Sequence, residues 1–404
     1  MSDKKDIFCI FPFNHINLKP QENGMVTLCW KSFENIGGFN KKALTEIWHG
    51  PQAQKVRENF LTGVETPGCS RCWDLENSGQ GQVSLRQLYN KKYASEINST
   101  KEKYLSKPQS ILPKTAELRF SSTCNYRCLH CDSTYSSKWK QAHKQFPDLK
   151  DFMFDENKDK PNEILSKEVI DDFIKNLLSE MEEIRVSGGE PFIEPLFYYF
   201  LETIPPLIAE KINLIVTTNL SVLKHKGIDI YPLLSKFKKC TIRASIDGEP
   251  GMYSYFRSGG NIEDIIQNVK KIKDSDNSKV IVEGVCTVNI YNILRIKKVF
   301  EFFHSIDIKI HTTFVHLHPP YLDIRILPEN IKKYCLSQVD DIIDTYKSSS
   351  HILEQCQLIK NFMLVENPDP SQWEKFLEFT KRMDTLNKTS FFKTYPEIKK
   401  FTSL

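Results

Sequence analysis

Several features are scarce in this chain of 404 residues, and each absence argues against a class of protein. No segment approaches the roughly 18 consecutive apolar residues of a membrane-spanning helix. The first residues, MSDKKDIFCIFPF, lack the long apolar core of a secretory signal. The net charge is only +4, which is too small to indicate nucleic acid or a membrane surface as a partner. We therefore expect a cytoplasmic globular protein.

Cysteine, in contrast, is plentiful, with eleven residues in the chain. Where a secretory signal is lacking, clustered thiols favour metal binding over disulfides. Isolated cysteines in apolar segments, such as Cys240 and Cys286, are typical of inert core residues. Seven cysteines fall into two clusters, namely Cys9, Cys29, Cys69 and Cys72, followed by Cys124, Cys128 and Cys131.

The second cluster lies in FSSTCNYRCLHCD, residues 120–132, with the spacing C-x3-C-x2-C. Three thiolates so close together can hold three irons of a cubane [4Fe–4S] cluster, whereas a closed cluster takes four. The fourth iron would then be open to a ligand, as in catalytic zinc sites. A zinc knuckle, incomplete or completed by His130, and three unrelated thiols are the alternatives.

The first cluster is predicted to converge from a hairpin and a knuckle. CIFPFNHINLKPQENGMVTLCWKS has the pattern of two short strands joined by a turn, with Cys9 beginning the first and Cys29 ending the second. Cys69 and Cys72 follow in C-x2-C spacing. Four such thiolates suit structural zinc or a second iron–sulfur cluster, and their chemistry alone leaves both open.

From Thr115 the pattern changes to alternating strands and helices. Helical periods separate the predicted strands, most clearly in KEVIDDFIKNLLSE. Repeated β–α units imply a parallel sheet, with the chemistry at the C-terminal ends of its strands. The six predicted strands lie in TAELRFSS, MEEIRVSGGEP, KINLIVTTN, KCTIRASIDG, KVIVEGVCTVN and IKIHTTFVHLH.

These patterns divide the chain into four regions. We predict a cysteine module at 1–90, a basic linker with a short helix at 91–114, the strand–helix repeats at 115–320 and a C-terminal helical region at 321–404.

Polar and glycine residues stand at the ends of the predicted strands. Gly188 and Gly189 allow close backbone approach to a ligand, and Glu190 can accept hydrogen bonds from a cationic amino group. Asn219 follows the third strand. Ser245 ends the fourth, and Arg257, whose guanidinium fork suits a carboxylate, follows twelve residues later.

The cysteine triplet and the GGEP and SIDG motifs resemble the signature of the radical SAM superfamily. The resemblance implies an α/β fold with a partial (β/α)6 barrel, in which the open iron is chelated by S-adenosylmethionine. It implies cofactor-binding roles for the polar strand-end residues. These are Gly188, Gly189 and Glu190 at the methionine amino group, Ser245 and Arg257 at the ribose and carboxylate, Asn219 nearby, and His130 where the family prefers an aromatic residue near the adenine.

The N-terminal run C-x-x-P-F, G-x-V-x-L-C-W and P-x-x-C-x-x-C-W-x-x-E resembles the twitch or SPASM-like module of one radical SAM subgroup. That resemblance implies an auxiliary [4Fe–4S] cluster on Cys9, Cys29, Cys69 and Cys72. Glu76, Ser84 and Arg86 also match its pattern, although a helix of solvated charges explains them equally well. The familiar module follows the barrel, whereas this one precedes it.

The implied reaction is reductive cleavage of S-adenosylmethionine to a 5′-deoxyadenosyl radical, which abstracts hydrogen from a substrate. The auxiliary cluster would assist oxidation or electron transfer, and flavodoxin or ferredoxin would supply electrons. The substrate is expected to be a ribosomal peptide or protein, with a sugar or nucleotide as the alternative. A non-catalytic zinc-binding protein is the remote alternative. No residue stands out as a catalytic acid, base or hydrogen donor.

Overall fold

The computed structural model describes residues 7–20, 23–77, 84–152, 164–275, 277–315, 319–365 and 369–401. The strands of this part of the chain are β1 His15–Lys19, β2 Met25–Thr27, β3 Gly37–Gly38, β4 Thr115–Arg119, β5 Arg127–Cys128, β6 Glu183–Ser187, β7 Asn213–Thr218, β8 Lys224–His225, β9 Ile228–Asp229, β10 Lys239–Ser245, β11 Arg257–Ser258, β12 Val280–Val288 and β13 Ile310–Phe314.

The α-helices are α1 Phe11–Asn14, α2 Leu44–Trp48, α3 Pro51–Thr62, α4 Ser70–Asn77, α5 Leu85–Lys92, α6 Ile97–Ser106, α7 Ser137–Gln145, α8 Lys167–Asn176, α9 Pro195–Thr203, α10 Pro206–Ala209, α11 Tyr231–Ser235, α12 Tyr253–Phe256, α13 Ile262–Lys273, α14 Ile290–Ile293, α15 Ile296–Ser305, α16 Glu329–Thr345, α17 Ser350–Met363, α18 Gln372–Asn387 and α19 Phe391–Thr394. None of these described helices is both long and apolar enough to cross a membrane.

The chain divides into two compact units, of which the first comprises Met1–Ser122, Asp159–Val216 and Pro232–Cys240. Its sheet has the order β3-β2-β1-β4-β6-β7. The strands β1, β4, β6 and β7 run parallel to their neighbours, while β2 and β3 continue the sheet as antiparallel strands. The N-terminal segment therefore contributes its own strand, β1, to the edge of a parallel sheet.

The two faces of this sheet differ in polarity because side chains alternate along each strand. On one face Ile16 and Leu18 of β1 lie beside Ala116 and Leu118 of β4, and all four are almost completely buried. The opposite face carries polar side chains. The apolar face supplies the packing that holds β1 in register.

The second unit comprises Thr123–Lys158, Thr217–Tyr231 and Thr241–Leu404. Here β12 pairs in parallel with β13, and the N–H of Ile246, just after β10, donates to Val285 O in β12 at 3.0 Å. The apolar stripe of α15 includes Val299, Phe300 and Phe303, all buried. The helices α16 to α19 make up most of the rest of this unit, as expected for the C-terminal region.

The predicted α/β class with a parallel sheet is confirmed. The six strands expected after Thr115 are β4, β6, β7, β10, β12 and β13, and the clearest predicted helix is α8. The Ser166 hydroxyl caps α8 by accepting a hydrogen bond from Val169 N, which fixes where the helix begins. The four-region division of the chain remains a prediction.

Two N-terminal details differ from the expectation. Cys9 does not begin a strand, because Pro12 lies in the first turn of α1, where its fixed φ favours a helix. Cys29 lies two residues beyond β2 rather than at its end. The single helix suggested for LTEIWHGPQAQKVRENFLTG is two helices, α2 and α3, because Gly50 is extended before Pro51.

Candidate active site and cysteine pocket

The three later cysteines lie in the second unit, on the loop that follows β4 along the chain. Within it β5 pairs antiparallel with β11, which places Arg257 directly opposite Cys128. The indole N–H of buried Trp139 donates to Cys128 O at 2.9 Å. These contacts bring the arginine predicted from the sequence to the middle cysteine.

Hydrogen-bond donors point at the sulfurs of this loop. The backbone N–H of Tyr126 donates to Cys124 Sγ at 3.5 Å, and Arg257 Nη1 donates to Cys128 Sγ at 3.6 Å. Such donors stabilise a thiolate over a thiol. Burial, Asp132 and the other two cysteines all raise the pKa of Cys131, so loss of its proton requires a compensating cation such as iron.

Asp247, buried completely, organises the side chains around Arg257. Its carboxylate forms an ion pair with Arg257 Nη2 and accepts a hydrogen bond from Thr287 N at 2.7 Å. His130 stacks on Phe256 with ring centroids 4.9 Å apart, and its Nε2 lies 3.8 Å from Asp247. Burial lowers the pKa of His130 to about 4, so the imidazole is neutral near pH 7.

Two buried nitrogen atoms near the loop have no hydrogen-bond partner among the described residues. They are Arg257 Nε and His130 Nδ1. Ser245 lies half-buried at the end of β10, in the same unit. A guanidinium N–H and an imidazole nitrogen left without partners suit a ligand with a carboxylate and further polar groups. The residues therefore fit S-adenosylmethionine beside a cluster on Cys124, Cys128 and Cys131.

Asn219 bonds to the cysteine loop with its side chain. Its Nδ2 donates to Asn125 Oδ1 at 2.9 Å, and its Oδ1 accepts from Ser221 N at 3.0 Å. Asn125 Nδ2 in turn donates to Ser221 Oγ at 3.0 Å. Asn219 thus holds Asn125, the residue after Cys124, in place. Its predicted role as a cofactor ligand stays a prediction.

The glycine–glutamate motif lies in the first unit, at the end of β6. Gly188 and Gly189 have φ of 79° and 57°, left-handed conformations that favour glycine. Glu190 is 1% exposed, and its carboxylate accepts from Phe192 N at 2.9 Å, capping a short turn that begins at Pro191. The strand-to-helix turn is confirmed, while the contact of these residues with a cofactor stays a prediction.

The four earlier cysteines line one pocket of the first unit, with about 530 Å³ of empty space. Burial raises the pKa of Cys29 to about 12 and that of Cys69 to about 11. Burial also raises the pKa of Cys9, and charges on the other three cysteines would raise it further. The prediction that these four thiols converge is confirmed.

Several buried thiolates in one pocket repel one another and need cations to bind between them. Across the described residues, no group of three or more His, Cys, Asp or Glu side chains is arranged to hold a single metal ion. Four soft thiolates around a roomy pocket are the donor set of a cubane iron–sulfur cluster, which takes one thiolate on each iron. The residues present fit such a cluster.

A buried ion pair supports this pocket. Arg86, which lines it, binds Glu76 through Nε at 3.0 Å and Nη2 at 2.6 Å, and donates to Phe8 O at 2.9 Å. The Ser84 hydroxyl donates to the same carboxylate. The interpretation of Glu76, Ser84 and Arg86 as solvated charges is therefore wrong, because they clamp the backbone next to Cys9.

Sequence reasoning missed the central role of Asp247, the stacking partner Phe256 and the loop contact of Asn125. Asp247 lies within the SIDG motif but was equally well explained as a turn residue. Its pairing depends on Arg257 and Thr287, which only the fold brings to it.

The family model described as the radical SAM superfamily matches residues 118–320, and a model described as an iron–sulfur cluster-binding domain, SPASM, matches residues 9–73. A GTP 3′,8-cyclase of Campylobacter lari is 32% identical over 116 residues, which cover 28% of this chain and 30% of that protein. The chain thus matches under a third of that relative's length.

Solved structures with a similar fold include the anaerobic sulfatase-maturating type enzyme named anSMEcpe, with bound AdoMet. That match has a TM-score of 0.41 and 20% identity, and covers 58% of this chain and 62% of the other. Streptococcus suis SuiB bound to S-adenosylmethionine has a TM-score of 0.33 and 13% identity, with 86% and 63% covered.

Proposed function

Because this chain belongs to the radical SAM superfamily, we propose that it is an enzyme that cleaves S-adenosylmethionine reductively and abstracts hydrogen from a substrate. The observation that carries the proposal is the buried Arg257, which pairs with Asp247 and donates to the Cys128 sulfur. The bound cluster and S-adenosylmethionine would supply the electron transfer and the radical that these reactions require.

The side chains of the second unit would bind and orient the cofactor. Arg257 Nε offers a donor to the methionine carboxylate, while Asp247 keeps the guanidinium charged and fixed in place. The neutral His130 presents Nδ1 as a hydrogen-bonding group. Ser245 at the end of β10 would contact the ribose. Asn219 would act through Asn125, by holding the cysteine loop.

We further propose that the four-cysteine pocket holds an auxiliary [4Fe–4S] cluster that accepts an electron from the substrate radical, which would make the net reaction an oxidation. The match of residues 9–73 to an iron–sulfur cluster-binding domain supports this proposal. An acidic electron carrier, flavodoxin or ferredoxin, would reduce the cluster on Cys124, Cys128 and Cys131.

A ribosomal peptide or protein is the proposed substrate. A nucleotide is the second candidate, and the observation that favours it is the partial similarity to a protein named GTP 3′,8-cyclase. Both candidates use the same cofactors and differ in what the protein must recognise.

Anaerobic purification followed by single-turnover assays tests the proposal. The wild-type protein should contain about eight irons per chain and convert S-adenosylmethionine to 5′-deoxyadenosine when reduced. Cys128→Ala should lose about four irons and all cleavage. Cys72→Ala should also lose about four irons, but from the other centre.

The matched control is Cys335→Ala, because Cys335 is a completely buried cysteine of α16 outside both clusters. It should keep the full iron content. A wild-type protein that binds zinc instead of iron, or that forms no 5′-deoxyadenosine with a full iron content, would contradict the proposed function.

A further inference from the structure

The strand β1 brings polar residues of the N-terminal segment onto the polar face of the sheet in the first unit. In the parallel register Asn17 lies beside Glu117 of β4, and Glu117 lies beside Arg185 of β6. On its other side Asn17 pairs with Thr27 of β2. Thr27 Oγ1 donates to Cys29 O at 2.8 Å, so this row of side chains leads to the cysteine pocket.

Asn17 is fully buried, yet neither of its side-chain polar atoms has a hydrogen-bond partner among the described residues. A buried amide without partners is costly, and native structures seldom keep one without a reason. His15, two residues away on the same face, binds Thr115 Oγ1 through Nδ1 at 2.8 Å, but its buried Nε2 also lacks a partner in the described part of the chain.

The charged neighbours of Asn17 are already paired. Glu117 accepts from Arg119 at 3.2 Å and from Ser187 Oγ at 2.8 Å. Arg185 binds Glu183 at 2.9 Å. A group that binds to Asn17 therefore meets no net charge, and must offer both a hydrogen-bond donor and an acceptor. A planar amide meets both conditions, because it can exchange two hydrogen bonds with the asparagine amide.

The half-buried side chains in this row show how a ligand would reach Asn17. Glu117 and Arg119 have side chains that are 10% and 14% exposed, and Ser187 is also half-buried. Asn17 is the fully buried end of this half-buried row.

We propose that Asn17 is a substrate-binding residue that hydrogen-bonds a neutral planar amide, with His15 Nε2 as a second contact. That the ligand is the substrate rests on the proposed function. The amide comes either from a peptide bond or from the lactam edge of a purine base. The N-terminal segment thereby contributes to substrate recognition as well as to the auxiliary centre.

The first test is the stability of the ligand-free holoprotein. Asn17→Leu preserves side-chain size and removes the unpaired amide, so it should raise the thermal midpoint by a few degrees. The matched control is Asn292→Leu. Asn292 is equally buried, but its amide donates to Thr287 O at 2.9 Å and accepts from Asn289 N at 2.9 Å, so its loss should lower the midpoint.

The second test is binding, measured by saturation-transfer NMR on the holoprotein with S-adenosylmethionine. The probes are N-acetylglycine methylamide, for a peptide bond, and GTP, for a purine lactam. The wild type should bind one of them, and the one bound identifies the source of the amide. Asn17→Leu should bind it roughly tenfold more weakly or worse.

Three results would overturn the assignment: a midpoint lowered by Asn17→Leu as much as by Asn292→Leu, wild-type protein that binds neither probe, or equal binding by Asn17→Leu. Failure of the proposed function is recognised separately. A wild-type protein that never forms 5′-deoxyadenosine would refute that function, whereas the stability and binding results for Asn17 would stand.

Discussion

Removing the charge of Asp247 should destabilise the second unit strongly. Asp247 is fully buried and Arg257 is only 5% exposed, so Asp247→Asn leaves a buried guanidinium without its anion. Breaking a buried pair from one side costs about 3–5 kcal/mol. The asparagine keeps the acceptor for Thr287 N, so the loss reports the charge rather than that hydrogen bond.

The assay is anaerobic thermal unfolding of the holoprotein, followed by circular dichroism. A loss of about 3–5 kcal/mol corresponds to a midpoint lowered by roughly 6–20 °C. The double variant Asp247→Asn/Arg257→Gln buries two neutral groups instead of one unpaired charge. It should therefore be more stable than the sum of the two single losses predicts.

Two results would refute this reasoning. One is an Asp247→Asn midpoint within about 2 °C of the wild type, which would mean that Arg257 finds another anion or water. The other is strict additivity in the double variant, which would mean that the two side chains do not interact.

Three further predictions concern the first unit. Burial, reinforced by the Arg185 cation, holds the pKa of His15 well below 6.5, so the unfolded chain takes up the proton first. Stability should therefore fall as pH drops below about 6.5, and His15→Gln should reduce that slope in urea titrations between pH 7.5 and 5.5. Arg86→Met leaves the buried Glu76 carboxylate unpaired and should cost about 3–5 kcal/mol in denaturant titrations, whereas a cost under 1 kcal/mol would contradict the clamp. Gly189→Ala should cost about 1–2 kcal/mol because φ is 57°, and calorimetry should show weaker S-adenosylmethionine binding, with Gly63→Ala on α3 as a control that has a left-handed φ but open space around it.

The sequence predicted those features that depend on local patterns. Strand β10 was recognised because buried and half-buried residues alternate along it, and α8 because its apolar side chains recur at the helical period. The Cys124 to Cys131 spacing is a local signal of the same kind. The clustering of the four earlier cysteines was also predicted correctly, although through a hairpin that begins later than expected.

Features that depend on partners distant in the chain could not be predicted in the same way. Asp247 was ambiguous because a turn and an ion pair leave the same residue in the sequence, and Arg257 is its partner only after β11 pairs with β5. The parallel pairing of β1 with β4 was also missed, because nothing in HINLK distinguishes a hairpin strand from one that also joins a second sheet edge. Register is set by apolar neighbours such as Leu18 and Leu118.

The pairing of β1 with β4 has a consequence for synthesis on the ribosome. His15 bonds to Thr115, one hundred residues further along the chain. At about 5–20 residues per second, β1 waits roughly 5–20 s for its parallel neighbour to be made. Through that interval β2 can protect one edge of β1, but the other edge and the apolar Ile16 and Leu18 lack their native cover. The nascent chain is therefore most prone to aggregate before Thr115 emerges, and a chaperone that binds the first hundred residues would act in that period.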